Sequence, residues 1–153
     1  MHLHIAHGVG LVNVLEFNHR PGFGNLDGAG DILIIAQSVT KGTAGRLFTQ
    51  VSVNNGSTYY SSNGDYVFAA ADGAPSATST IGTFESVNVT TAVMGWVRIE
   101  GASMPGPKLG RSSDNANAPQ RYFVASPLGI NAVKVVPTPA GLMTGGKIYC
   151  YVR

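Results

Sequence analysis

Short runs of β-branched residues, separated by turn-forming clusters, recur along the chain and constrain its fold more than any other feature. Val and Ile together outnumber Leu by 24 to 9, and branching at Cβ favours strands over helices. No segment of helical length repeats apolar residues at the spacing of an amphipathic helix. The sequence therefore predicts an all-β chain.

Nine segments have the length and apolar content of strands, with Gly, Asn, Ser or Pro between them. They are residues 9–17, 31–39, 47–53, 65–71, 81–89, 92–100, 121–126, 130–136 and 147–153. Asn54-Asn55-Gly56, Asn63-Gly64 and Asp72-Gly73 supply residues that tolerate the positive φ of tight reversals. Short strands around one core predict an antiparallel sandwich or barrel of about eight or nine strands.

The last strand, KIYCYVR, shows the clearest alternation of side chains. Because side chains alternate between the two faces of a strand, Ile148, Cys150 and Val152 share one face, and Tyr149 and Tyr151 share the other. We expect the first face to be buried in the core and the second to be exposed to solvent. Cys150, the only cysteine, is then a buried and unreactive thiol that has no partner for an internal disulfide.

Residues 31–39, DILIIAQSV, contain four consecutive large apolar residues. Such a run is typical of a central strand that is covered on both sides. We expect a neighbouring subunit to supply one of the covers, with Ile32 and Ile34 as candidate interface residues. The run therefore predicts an oligomer.

The length of 153 residues predicts one domain. Only 12 % of the residues are charged, but with 44 % hydrophobic residues and a net charge of +2 the chain is too apolar and too neutral for disorder. We expect residues 9–153 to form a single β-sandwich domain and residues 1–8 to form an N-terminal arm. Residues 102–119 have three Pro and no periodicity, so a crossover or surface loop is expected there.

Charge and hydropathy argue against two classes of partner. The ten Lys and Arg residues are scattered singly, so no basic stripe indicates nucleic-acid binding. The longest strongly apolar stretch, residues 32–36, is far shorter than the ~20 residues of a membrane span. The first ten residues lack the basic and apolar regions of a secretory signal. We therefore expect neither a nucleic acid nor a membrane as partner.

Three histidines, His2, His4 and His7, lie at the start of the chain. His2 and His4 are two residues apart and would share one strand face, so they could share a Zn²⁺ or Ni²⁺ ion with His7 as a third ligand. The alternative is an exposed arm, since termini fray unless tied down and no Cys or carboxylate lies nearby in sequence. We favour the arm, with these histidines as contacts to a neighbouring subunit, and expect no metal and no cofactor.

Residues for catalysis are scarce in the sequence. There is no G-x-S-x-G nucleophile elbow, and eight Asp and Glu residues in all offer little support for a facing carboxylate pair. A non-enzymatic protein is expected. The remaining candidates for contact are Tyr59, Tyr60, Tyr149 and Tyr151, whose flat rings suit a sugar or a protein partner, unless they only cover sheet faces and subunit contacts. Trp96 is expected to be a core or interface anchor.

Four segments of the chain read VNVLEFNHRP, DILIIAQSV, LFTQVSVNNGSTYY and INAVKVVPTPAGLMTGGKIYCYVR. Together they resemble a domain that recurs in the virion proteins of tailed bacteriophages. The resemblance spans residues 9–153 and rests on the strand pattern. It implies a jelly-roll-like β-sandwich that serves as a structural module in tail-fibre and head-associated proteins. Because the sequence shows no fibre shaft or coiled coil, we expect a small accessory shell protein.

The resemblance thus implies a capsid decoration or cement subunit, located in the virion and assembled in the host cytoplasm. Its expected partners are copies of itself, as a trimer or other small homo-oligomer, and the major capsid protein or other virion proteins. One alternative is a tail-fibre or tail-tip module that binds a glycan or protein of the host surface. A small depolymerase or metal-dependent hydrolase is a further alternative.

Overall fold

A computed structural model describes residues 2–8, 15–17, 26, 28–42, 46–69, 76–78, 81–83, 92–114, 120–124, 126–138 and 143–153. Within these ranges the backbone forms twelve β-strands and no helix. The strands are β1 (His2–Gly8), β2 (Leu15–Phe17), β3 (Asp31–Lys41), β4 (Arg46–Ser52), β5 (Tyr66–Ala69), β6 (Ser76–Thr78), β7 (Ile81–Thr83), β8 (Val93–Glu100), β9 (Lys108–Asp114), β10 (Gln120–Val124), β11 (Ala132–Thr138) and β12 (Met143–Val152). The all-β prediction is confirmed.

The strands form two antiparallel sheets that follow a jelly-roll path. The larger sheet has the order β1-β12-β3-β8-β9-β10-β5-β6, and the smaller has the order β2-β11-β4-β7. Eight of the strands pair as they would in one long hairpin: β1 with β12, β2 with β11, β3 with β8, and β4 with β7. Rolling up that hairpin adds the pairs β12–β3 and β11–β4, which gives the two sheets of a jelly roll. The predicted antiparallel jelly-roll-like sandwich is confirmed.

Four strands lie outside this eight-strand path. The hairpins β5–β6 and β9–β10 extend the larger sheet beyond β8. Strands β9 and β10 also contact β7 of the smaller sheet. On these two inserted hairpins Tyr66, Tyr122 and Val124 are buried and belong to the main core. The inserted strands therefore widen one sheet and remain part of the same folded body.

The core lies between the two sheets and is built from alternate residues of their strands. Examples with no exposed surface are Ile34, Val97 and Ile148 from the larger sheet and Val51 and Val133 from the smaller. Burial of each such side chain stabilises the fold by about 1.5–3 kcal/mol relative to exposure. In β12, Ile148 and Cys150 face this core, which confirms the alternation predicted for KIYCYVR.

Strand β3 is central in the sheet, as predicted, with β12 on one side and β8 on the other. Ile32 and Ile34 have no exposed surface and face the core. Leu33 and Ile35 lie on the opposite, outer face and are half-buried. The prediction of Ile32 and Ile34 as interface residues is therefore wrong, because the chain's own smaller sheet covers that side of the strand.

Three segments form strands that the sequence does not predict: β1, the short β6 and β9. The expected loop at 102–119 contains β9, which pairs with β8 and β10. Its inward residues are Lys108, Gly110 and Ser112, so it has no apolar alternation, and pairing on both sides makes it a strand. Residues 2–8, expected as an arm, form β1 and pair with β12 at the edge of the sheet. Backbone hydrogen bonding to β12 ties this segment to the sheet.

Two local backbone features depend on residues with positive φ. After β4 the chain turns through Asn55 and Gly56, with φ of 57° and 80°, which confirms the turn predicted there. Between β3 and β12 the register shifts beside Gly146, which has a φ of 92°. A Cβ atom on Gly146 would overlap the backbone of Ser38, so only glycine fits. The predicted turn at Asp72-Gly73 lies outside the described residues.

Candidate functional site

The outer face of the larger sheet carries an open groove with aromatic walls, which we call the aromatic groove. Strands β12, β3, β8 and β9 contribute its side chains, and its volume is about 690 Å³. Its lining includes Ile35, Gln37, Trp96, Ser113, Tyr149 and Tyr151. These side chains point away from the core because their neighbours in sequence are the inward residues of the same strands.

The strand register aligns four of these residues across the sheet. Tyr149 lies opposite Ile35, Ile35 lies opposite Trp96, and Trp96 lies opposite Ser113. Directly opposed residues in antiparallel strands have Cβ atoms about 4.5–5.5 Å apart, so they form a continuous row. The aromatic groove is thus held on four adjacent strands rather than on loops, and its shape is set before any partner arrives.

The two tyrosines of β12 form one wall of the groove. The rings of Tyr149 and Tyr151 are stacked, with centroids 6.3 Å apart and planes at 26°. The Tyr149 hydroxyl donates a hydrogen bond to Oε1 of Gln37 at 3.1 Å. Both rings are partly exposed, as predicted from the alternation of KIYCYVR. This wall therefore offers flat aromatic surface together with polar groups that can bind a ligand.

A line of arginines, which we call the arginine row, crosses the same face two residues further along the strands. Arg98 of β8 lies opposite Arg111 of β9, and Arg111 lies opposite Arg121 of β10. Arg111 and Arg121 are exposed, and Arg98 is half-buried. Like charges directly opposite each other across strands destabilise a sheet, so negative charge near these arginines would stabilise it.

Two carboxylates supply part of that charge. Nη2 of Arg98 donates to Oδ2 of Asp31 at 2.8 Å, and Arg153 Nη2 lies 3.4 Å from the same oxygen. Nε of Arg98 and of Arg111 lie 3.6 and 3.7 Å from Oε1 of Glu100. Burial raises the pKa of Asp31, whereas the hydrogen bonds from Arg98 and the Gly101 amide and the charges of Arg98 and Arg153 lower it. Together these lowering effects exceed the effect of burial, so the pKa of Asp31 is below its usual value.

A second surface lies at one end of the sandwich, where the loops after β8 and after β10 meet; we call it the apolar tip. Met104 and Leu128 are its most exposed large side chains, at 64 % and 58 %. The two loops are joined by a hydrogen bond from the Gly106 amide to the Pro127 carbonyl, at 3.1 Å. The apolar tip is therefore formed by two loops that are hydrogen-bonded to each other.

A buried lysine stabilises the base of the apolar tip. Lys108 is 1 % exposed, and its Nζ donates to the carbonyl oxygens of Gly106 and Ser126 at 2.7 and 2.9 Å. The third acceptor is the carbonyl of Leu128. Burial lowers the pKa of Lys108. One ammonium group thus satisfies three backbone acceptors and connects the two loops.

The other predicted tyrosines have structural contacts. The Tyr60 side chain packs against the core, and its hydroxyl lies 3.2 Å from Oγ of Ser126. The Tyr60 carbonyl accepts a hydrogen bond from the hydroxyl of Tyr66, at 3.0 Å. The ring of Tyr59 lies under the ammonium of Lys134, with 4.3 Å between Nζ and the ring centroid. Neither residue contributes to the aromatic groove.

The remaining candidates from the sequence are the N-terminal histidines and Cys150. His2, His4 and His7 lie on β1, and their side chains are outside the described part of the structure. Among the described side chains, no group of three or more His, Cys, Asp or Glu is placed to hold a metal ion. Cys150 is fully buried, and burial raises the pKa of its thiol to about 12.

Three residues on the outer face of the larger sheet, Trp96, Arg111 and Arg121, are not identified as site residues by the sequence. Trp96 was expected to be an anchor, and it lies half-buried in the wall of the aromatic groove. In the sequence Arg111 and Arg121 are isolated basic residues, yet the register of β9 with β10 places them directly opposite each other. The pairing of distant strands is the missing information, and one sequence does not contain it.

Comparisons with protein-family models and with curated proteins find no match for this chain. In the described part of the chain there is no helix that is long and apolar enough to cross a membrane.

Proposed function

We propose that this protein is a non-enzymatic structural subunit of a tailed-phage particle and that it decorates and stabilises the capsid shell. The observation that carries the proposal is the jelly-roll path of its eight core strands, an architecture that viral capsid proteins use. The resemblance of residues 9–153 to phage virion domains supports the same conclusion. The proposed location is the virion, after assembly in the host cytoplasm.

The apolar tip is the surface that suits attachment to another protein. Met104 and Leu128 are exposed on loops that Lys108 already holds in place, so little conformational entropy is lost when a partner covers them. A specific interface buries about 800 Å² on each partner, and repeated contacts in a shell strengthen one another. We propose the major capsid protein and further copies of this chain, in a trimer or other small oligomer, as the partners.

Counting the copies of this protein in purified particles tests the proposal. A shell subunit is expected at a copy number that matches the symmetry-related sites of the capsid. Particles that lack it are expected to release DNA at lower temperature and after milder chelator treatment. A handful of copies per particle, or equal tolerance of heat and chelator, would show that the protein does not stabilise the shell.

A double variant, Met104→Ser with Leu128→Ser, tests the contact surface. We expect its incorporation into particles to fall at least tenfold. Met94→Ser is the matched control, because Met94 is 51 % exposed and lines the aromatic groove rather than the apolar tip. Equal incorporation of the double variant and the control would contradict attachment through the apolar tip.

A tail-fibre or tail-tip recognition module is the second candidate function, and the aromatic groove favours it. Aromatic rings on rigid strands, with Gln37 and Ser113 beside them, suit recognition of a host-surface glycan or protein. Imaging of labelled particles distinguishes the two candidates. Label on the tail supports recognition, whereas label over the head supports decoration.

A further inference from the structure

We propose that the aromatic groove and the arginine row together bind an acidic saccharide, with a sugar ring stacked at Trp96 and its carboxylate held by Arg111 and Arg121. This inference rests on the second candidate function, recognition of a host surface, and names the class of ligand. The neighbouring positions of two chemically different rows on one sheet face carry the argument.

The aromatic groove supplies the contact for the ring. Its volume of about 690 Å³ lies within the ~300–1,000 Å³ typical of small-molecule sites. The Trp96 indole and the stacked Tyr149 and Tyr151 rings provide flat apolar surface, against which the C–H face of a sugar packs. Gln37 and Ser113 at the same groove provide hydrogen-bonding groups for hydroxyls.

The arginine row supplies the contact for the charge. Arg98, Arg111 and Arg121 are aligned across three adjacent strands. Asp31 lies between Arg98 and Arg153, and Glu100 lies near Arg98 and Arg111. Among the described side chains, both carboxylates lie on the side of Arg98, so the positive charge is in excess toward β10. A guanidinium binds a carboxylate through two parallel hydrogen bonds, so an acidic ligand would relieve the repulsion within the row.

The spacing between the two rows fits this ligand class. Trp96 and Arg98 are two residues apart on β8, and Ser113 and Arg111 are two apart on β9. Two residues of a strand span about 7 Å. With the ~4.8 Å between neighbouring strands added, Trp96 lies about 8 Å from Arg111 and about 12 Å from Arg121 along the sheet. Two adjoining units of an acidic polymer therefore reach from the aromatic groove to the arginine row.

Other anionic partners fit the face less well. A nucleic acid gains affinity by placing many phosphates on Lys and Arg, and this face has one short row with Asp31 and Glu100 among its arginines. An acidic protein needs about 800 Å² of matching surface, whereas the groove has the volume of a small-ligand site. Both partners are outcomes of the test below.

The test measures binding to the purified full-length protein by calorimetry and by the fluorescence of Trp96, the only tryptophan in the chain. The probes are oligogalacturonate and oligosialic acid, each paired with its carboxyl-reduced form, together with a single-stranded DNA oligomer and a poly-glutamate peptide. We expect saturable binding of at least one acidic saccharide that changes Trp96 fluorescence. Reduction of the carboxyl groups is expected to weaken that binding at least tenfold.

The double variant Arg111→Gln with Arg121→Gln tests the arginine row. We expect it to bind the acidic and the carboxyl-reduced saccharide with equal, weak affinity. Arg46→Gln is the matched control, because Arg46 is an exposed arginine on the smaller sheet, and its binding is expected to match that of the wild type. Circular dichroism of both variants checks that the fold is retained.

Three results would overturn the inference: no binding of either acidic saccharide, equal binding of the charged and the carboxyl-reduced forms to the wild type, or tighter binding of DNA or poly-glutamate. Failure of the second candidate function, recognition of a host surface by the tail, is detected separately, by imaging labelled particles. Head labelling of particles rejects recognition by the tail even if the saccharide binds, and tail labelling without saccharide binding rejects only the ligand class.

Discussion

Replacement of Lys108 by Met tests whether the buried ammonium holds the end of the sandwich together. Met has nearly the same length and apolar stem, so Lys108→Met removes the charge and its three hydrogen bonds with little change in packing. The carbonyls of Gly106 and Ser126 then lose the donor described above. The carbonyl of Leu128 keeps a second donor, Oγ of Ser126 at 3.1 Å.

The expected loss of stability follows from two opposing effects. Each hydrogen bond to a charged group contributes about 1.5–3 kcal/mol, so three such bonds contribute roughly 4–9 kcal/mol. Removal of the ammonium also relieves a desolvation penalty of several kcal/mol. The difference is a net loss of about 3 kcal/mol in the free energy of unfolding, which for a chain of this length lowers Tm by about 6–12 °C.

Urea and thermal unfolding of Lys108→Met, compared with Lys147→Met, provide the measurement. Lys147 is exposed on β12, so the same substitution there is expected to change stability by less than about 0.5 kcal/mol. Hydrogen exchange in the loops that carry Met104 and Leu128 is expected to accelerate only in the Lys108 variant. If both variants unfold at the wild-type temperature, the lysine does not stabilise these loops and the reasoning fails.

Three further predictions concern single positions. Asp31→Asn is expected to lower stability by about 1 kcal/mol at pH 7. Because the folded-state pKa of Asp31 is lowered, its contribution is fully present above the unfolded value of 3.8 and is lost as the pH falls through the folded value, so the difference in urea unfolding should shrink as the pH is lowered below 3.8, and a constant difference would contradict the ion pair. Gly146→Ala should destabilise the protein by about 1–3 kcal/mol more than Gly64→Ala, because both glycines have positive φ but only Gly146 meets backbone atoms; similar melting temperatures would contradict the overlap. The Cys150 thiol should react with a disulfide reagent only after denaturation, and reaction in the native protein would contradict its burial and raised pKa.

The sequence predicts the local features of the fold well. Alternation in KIYCYVR correctly assigns Ile148 and Cys150 to the core and Tyr149 and Tyr151 to the outer face, because the two-residue period is a property of a single strand. The apolar run of β3 correctly indicates a central strand. It does not tell which residues face the core, since Ile32 and its neighbours are equally apolar on both faces.

The candidate site was predictable only in part, since it is formed by the pairing of distant segments. Tyr149 and Tyr151 could be found from alternation. Strand β9 could not, because its inward residues are polar or small and Lys108 is among them. Without β9, the alignment of Arg111 with Arg121 cannot be derived, and the two residues appear in the sequence as isolated positive charges.

On the inserted hairpin β9–β10 the inward residues maintain the fold, whereas the outward residues can vary without disturbing the core. Strands β9 and β10 follow β8 and lie outside the eight strands that close the roll. Arg111 and Arg121 are both carried by this added hairpin. Exchange of the outward residues of one hairpin would therefore change the charge that a ligand meets while the wrapped strands keep their pairing. Natural selection or protein design can therefore change ligand preference by substituting the outward residues of this hairpin alone.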